Sequence, residues 1–105
     1  MLESRHFYNF FAAISEDPRI NTTHISLYFS LLHFWEAHEF AIPLQVFSHD
    51  IMPLAKILST TTYHQRLKDL NEFGYIRYEP SYKRNVGSKI YMQLNDLSTK
   101  ATANT

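Results

Sequence analysis

The sequence predicts a mainly α domain with a small β-hairpin, an α+β fold, and three observations carry that prediction. Tyr63, Leu67, Leu70 and Phe73 recur at helical spacing and stop at Gly74, the residue type that closes helices in the left-handed conformation. Beyond it, Ile76 and Tyr78 alternate with Arg77 and Glu79, and Ile90, Met92 and Leu94 alternate with Lys89, Tyr91 and Gln93, the period of half-buried strands. Finally, a chain of 105 residues that is 45% apolar and 19% charged suits one folded domain with a single modest core.

Each element can be justified in order. Phe7, Phe10, Phe11 and Ile14 form an aromatic stripe at helical spacing, which predicts a first helix over residues 4–15. Asp17-Pro18 ends it, because the residue before a proline is driven away from helical angles. Asn21, Thr22 and Thr23 offer capping side chains to a second helix running to about His38, with Ile25, Tyr28, Leu32 and Trp35 on its apolar face and Phe29 and Leu31 widening it. The stretch FAIPLQVF, Phe40 to Phe47, predicts a loop leading into a brief edge strand.

Ser48 is placed to cap a third helix over residues 49–56, where Pro53 is the awkward residue: beyond the first turn a proline removes a hydrogen bond and bends the helix. The fourth helix begins at Ser59 or Thr60 and ends at Gly74. The strands YIRYEP and SKIYMQL then flank a polar, basic loop and make a long-tipped hairpin. Residues 1–97 are read as one domain with an extra N-terminal helix over 4–15, and the small, polar residues 98–105 as a disordered tail.

Composition excludes several function classes. The chain has no cysteine, so neither a disulfide framework nor a thiolate zinc site is available. With no apolar run of about 18 residues and no basic-then-apolar leader, neither a membrane span nor a secretory signal is expected, and a cytoplasmic location follows by default. His33 and His38 stand five apart, which does not bring both to one ion, and no HExxH, phosphate loop, nucleophile elbow or dinucleotide fingerprint occurs. No catalytic residue, metal site or cofactor is therefore expected, and the protein is not read as an enzyme.

The net charge is zero, but the charges are unevenly spread. Residues 1–47 carry two basic against five acidic side chains, and residues 48–105 carry eight against five, so the halves are −3 and +3. A phosphate-bearing partner would be met by the second half.

A short helix joined by a few residues to a longer one, followed at once by a hairpin, is the pattern in which the second helix enters the DNA major groove. The segments DIMPLAKILSTTTYHQRLKDLNEFGYIRYEP and YKRNVGSKIYM resemble the winged helix-turn-helix DNA-binding domains, over roughly residues 22–95. The chain is also similar to the small winged-helix proteins linked to bacterial mobile elements and to replication-initiator or replisome-organiser modules, through INTTHISLYFSLLHFW. The resemblance implies a turn at Ile57 and Leu58, the start of a recognition helix at residues 59–62, and a wing tip at residues 82–88.

Three adjacent threonines at the head of a helix are unfavourable by a few tenths of a kcal/mol each, small beside a base contact of about 1–3 kcal/mol. Ser59 or Thr60 can cap, and the remaining hydroxyls suit phosphate or base edges. With Tyr63, Leu67 and Leu70 facing the core, Thr60, Thr61, His64 and Gln65 are expected at bases, and Lys68 and Arg66 at phosphates, Arg66 toward a flank. In the hairpin, Tyr82, Lys83, Arg84, Asn85 and Lys89 form a basic group with a ring beside it: Arg84 suits a minor groove or a phosphate, and Lys83 and Lys89 suit phosphates. The expected partner is double-stranded DNA, with a homodimer or protein contact through the aromatic first helix. A scaffold of this kind used only for protein contact is the alternative.

Overall fold

The computed structural model describes residues 3–83 and 85–92, with side chains from Tyr8 onward. Its elements are α1 (Glu3–Ser15), α2 (Thr22–Ala37), β1 (Leu44–Val46), α3 (Ser48–Ala55), α4 (Thr60–Glu72), β2 (Ile76–Glu79) and β3 (Ser88–Met92). The three strands form one antiparallel sheet in the order β1-β3-β2. The brief segment before α3 thus adds a third strand to the expected hairpin, pairing Leu44 with Ile90 and Val46 with Ser88. No described helix is long and apolar enough to cross a membrane. The reading of residues 98–105 as a disordered tail, and the continuation of the last strand through Leu94, lie outside the described residues.

Alternation decides the sheet's two faces. Leu44, Val46, Ile76 and Ile90 are buried against the helices, and Gln45, Arg77 and Lys89 are exposed on the other side. On the outer edge of β2, the Tyr78 N–H donates to Asn71 Oδ1 at 2.8 Å, so a side chain from α4 occupies a backbone donor that the sheet leaves unpaired.

α2 is the central helix; Tyr28, Leu31, Leu32 and Trp35 of its expected face are buried, with Leu27 added and Ile25 turned partly outward. Leu27, Tyr28 and Leu31 are fully buried, Leu32 and Trp35 nearly so, whereas Ile25 is only half-buried. The helix is covered on several sides, by α1, α3 and α4, so the single stripe of a surface helix does not describe it. Its start is as expected, with detail the sequence did not reveal: Asn21 Oδ1 accepts from the Thr23 and His24 N–H groups, and His24 Nδ1 accepts from the Asn21 N–H at 3.0 Å. That backbone donor fixes the His24 tautomer, so Nε2–H donates to Asp69 Oδ2 at 2.8 Å.

α1 is attached through rings. Phe10 is fully buried, stacked on Tyr28 with centroids 3.9 Å apart and planes at 6°, with the edges of Phe29 and Tyr75 around it. Phe11, on the same predicted stripe, is 50% exposed.

The expected cap at Ser48 is not formed. Phe47 takes the N-cap position of α3, without a side-chain bond, and Ser48 is already helical. Pro53 sits inside this helix. The helix ends at Ala55, after which Lys56 takes a left-handed conformation (φ 61°) and the Ile57 N–H donates to Met52 O. α4 closes in the same way, with Gly74 at φ 90° and the Tyr75 N–H donating to Leu70 O at 2.9 Å, as its sequence predicts.

Two carboxylates tie the elements together. Asp17 accepts from Arg19 and from the Tyr75 hydroxyl at 2.8 Å, and the Arg19 guanidinium lies 4.0 Å from the Phe73 ring centroid. The Arg19 hydrogen bond is the main reason Asp17 is held well below the usual carboxylate range, with burial opposing it. Burial pushes Asp69 up, but hydrogen bonds from His24 and Gln65 and the Arg66 charge outweigh it, and Asp69 is also held low.

Two predictions follow from this packing. Both carboxylates have folded-state values below their unfolded ones, so their stabilisation is complete above pH 3.8, their ordinary value, and is lost as pH falls through the depressed folded values. Asp69→Asn is expected to lose about 1–3 kcal/mol at neutral pH and to show a shallower acid loss than wild type in urea titrations between about pH 5 and 2. Among the described residues the buried Tyr28 hydroxyl has no hydrogen-bond partner. Removing it in Tyr28→Phe is expected to leave stability unchanged or raise it by up to about 1 kcal/mol, and a loss above that in urea unfolding would show that the hydroxyl is satisfied.

Candidate nucleic-acid interface

Helical geometry determines what α4 offers to solvent. Tyr63, Leu67 and Leu70 are at most 2% exposed, so Thr61, Gln65 and Lys68 on the opposite side lie at the surface with His64 beside them, and Thr60 is exposed at the helix start. Ser59, exposed and non-helical, is the cap: its hydroxyl accepts from the Thr62 N–H at 3.2 Å. Thr60 therefore does not cap. Its carbonyl accepts from His64 Nδ1 at 2.9 Å, and the three threonines form the first turn.

Arg66 stands apart from the other predicted residues. Its side chain is only 25% exposed, lies 3.4 Å from the Asp69 carboxylate that accepts from His24 of α2 and, among the described residues, has its Nε buried without a partner. The adjacent Gln65 donates from its amide nitrogen to Asp69 Oδ1 at 3.1 Å. Its amide oxygen makes no hydrogen bond among the described residues.

The hairpin loop is shaped by its own short bonds. The Lys83 N–H donates to Ser81 Oγ and the Val86 N–H to Lys83 O, while Ser81 N–H reaches Ser88 Oγ. Tyr82 is 94% exposed, and Lys83 and Asn85 are exposed beside it. Arg84 lies outside the described residues. Gly87 is buried where the loop meets β1: a Cβ there would stand 2.9 Å from Val46 O and 3.2 Å from Val46 N. Only a glycine allows this approach.

That approach brings the loop next to the first half of α4. Phe47 and Ser48 at the start of α3, Tyr63 and His64 on α4, and Ser81, Lys83 and Ser88 of the hairpin line one open cleft of about 160 Å³. The predicted residues His64 and Lys83 therefore share a surface. Lys89 does not join them: it projects from the sheet face turned away from the helices, opposite Glu79 and Gln45 in the strand register. On that face Arg77 pairs with Glu79 and lies 4.2 Å from the Tyr91 ring centroid.

Several residues of this surface were not foreseen. Phe47, Ser48 and Ser81 reach the cleft only because Gly87 lets two chain-distant segments touch, and no local pattern encodes that. Leu58, in the turn before α4, is 97% exposed, a position where a large apolar side chain contributes nothing to the core. Lys56 is exposed at the end of α3. Among the described residues no cluster of three or more metal-ligating side chains occurs.

Gly87→Ala is expected to push the loop off β1, lowering stability by about 1–3 kcal/mol in urea unfolding. Amide shifts confined to residue 87 would mean that the approach does not define the cleft, whereas shifts at Val46, Ser48 and His64 accompany its opening. Comparisons with family models, with curated proteins and with solved structures find nothing that matches this chain.

Proposed function

We propose that the chain is a winged helix-turn-helix domain that binds double-stranded DNA, with α4 as recognition helix and the β2–β3 loop as wing. In this reading it acts as a sequence-specific transcriptional regulator or as an accessory protein of a mobile or replicating element. A short helix, a turn and a longer helix followed directly by a hairpin support the reading. The observation that carries the reading is the shared cleft: His64 of α4 and Lys83 of the hairpin loop open on one side, so a duplex can meet both at once.

The roles follow from placement. Thr61 and Gln65, with Thr60 at the helix start, present hydroxyl and amide groups on the exposed side of α4, where groove edges would be read, and His64 presents its imidazole to the cleft shared with the hairpin. Leu58 adds an apolar surface suited to a thymine methyl. Lys68, Lys83 and Lys56 supply phosphate contacts, and Tyr82 a ring that can lie along the backbone. Arg66, tied to Asp69, serves the fold first and contributes charge at the margin.

A protein contact is favoured by a separate observation. Tyr8 is 77% and Phe11 50% exposed on α1, while Phe10 between them anchors that helix to α2. A second copy or a partner protein meeting α1 would leave α4 free, and a pair of copies would offer two helices to two half-sites.

Fluorescence anisotropy with labelled duplexes tests the reading. Affinity is expected to fall with salt with a log-log slope of about −4 to −5 for roughly five phosphates. Lys83→Ala/Arg84→Ala should weaken all duplexes alike and reduce that slope by about 1–2. Thr61→Ala/Gln65→Ala should alter preference among duplexes by about 1–3 kcal/mol for each lost base contact. Absence of binding at low salt would leave the protein-contact role in place of the DNA one.

A further inference from the structure

Hydrogen bonding fixes the chemistry of His64 in the cleft. Its Nδ1 lies 2.9 Å from Thr60 O, and a carbonyl oxygen only accepts, so Nδ1 carries a proton. In the neutral ring Nε2 is then a bare lone pair, and among the described residues none donates to it. An anion entering the cleft is repelled by that lone pair and attracted once Nε2 is protonated. Beside the apolar Val46, Phe47 and Val86, the lining carries donors suited to an anion in Lys83 and in the hydroxyls of Ser48 and Ser81. Ser81 accepts the Lys83 N–H through its oxygen, which leaves its hydroxyl proton available, whereas the Ser88 hydroxyl is engaged with the Tyr78 phenol.

Resting on the DNA reading above, we propose that this cleft seats one backbone phosphate of the duplex between Lys83 and the His64 imidazolium, and that filling it takes up one proton at His64 Nε2. The charged and titratable groups around His64 are few. On α4 they are Tyr63, whose buried phenol stays neutral, and Lys68 one turn further on. At the start of α3 stand His49 and Asp50, 3.6 Å apart, and the hairpin contributes Lys83, followed by Arg84 outside the described residues. β1 contributes only apolar Val46 to the cleft. A site that accepts only the charged ring loses up to about tenfold in affinity per pH unit above the histidine range.

The experiment is duplex binding by the full chain at constant ionic strength, at about pH 6 and about pH 8. Wild type is expected to bind at least about fivefold more weakly at the higher pH. His64→Gln should bind weakly at both values, differing by less than about twofold, and His64→Lys, with a fixed charge, should bind tightly at both. His49→Gln should keep the wild-type response. Salt-dependent binding that ignores pH, or a pH response that survives His64→Gln or disappears in His49→Gln, overturns the phosphate seat and leaves the DNA reading standing. No duplex binding at either pH overturns both.

Discussion

The seating of α4 on α2 is the constraint from which the rest of the molecule follows. Leu67 and Leu70 are fully buried and Tyr63 nearly so, which fixes the helix's rotation about its axis. The bond from His24 to Asp69 fixes its position along that axis, because a buried imidazole donor left unpaired would cost about 1–3 kcal/mol. With both set, the surface of α4 is no longer free to vary: Thr61, His64 and Lys68 must face outward, and Arg66 must lie beside Asp69. The capping of α2 belongs to the same arrangement, since the ring that reaches Asp69 also accepts the Asn21 N–H.

The charges sort accordingly. Among the described arginines with placed side chains, Arg19 and Arg66 are bound to Asp17 and Asp69, and Arg77 to Glu79. Lys56, Lys68 and Lys83 form no ion pair among the described residues and are exposed near α4 and the hairpin loop. A neutral protein can thus carry a local positive field, because internal pairs neutralise the cations that hold the fold and leave lysines at the surface. Such a field is screened by salt and depends little on exact side-chain geometry, as suits ammonium groups on flexible stems.

How much of this was legible in the sequence depended on how local the determining contact was. The period of α4 and the glycine that ends it lie within one segment, and both were readable, as was the start of α2 from Asn21. The side chain taking the N-cap position of α3 was not, because Ser48 has the right chemistry and the chain nonetheless enters the helix one residue earlier, at Phe47. The burial of Leu27 was hidden for another reason: a helix packed on several sides loses the one-sided pattern on which the reading relied. Of the candidate site, the exposed face of α4 and the loop at Tyr82 and Lys83 could be read from periodicity. The turning of Arg66 toward Asp69, the opposite orientation of Lys89 and the cleft at Gly87 depend on contacts between distant segments, which no window of sequence contains.

Asn71 illustrates how one polar side chain can govern behaviour beyond the monomer. A strand at the margin of a sheet offers its free amides as a template on which another chain can add. By occupying the Tyr78 amide, Asn71 spoils that template on the β2 side, and on the other side β1 is only three residues long. Sheet extension between molecules is thereby discouraged at both margins, and crowding of many copies need not end in cross-β aggregation.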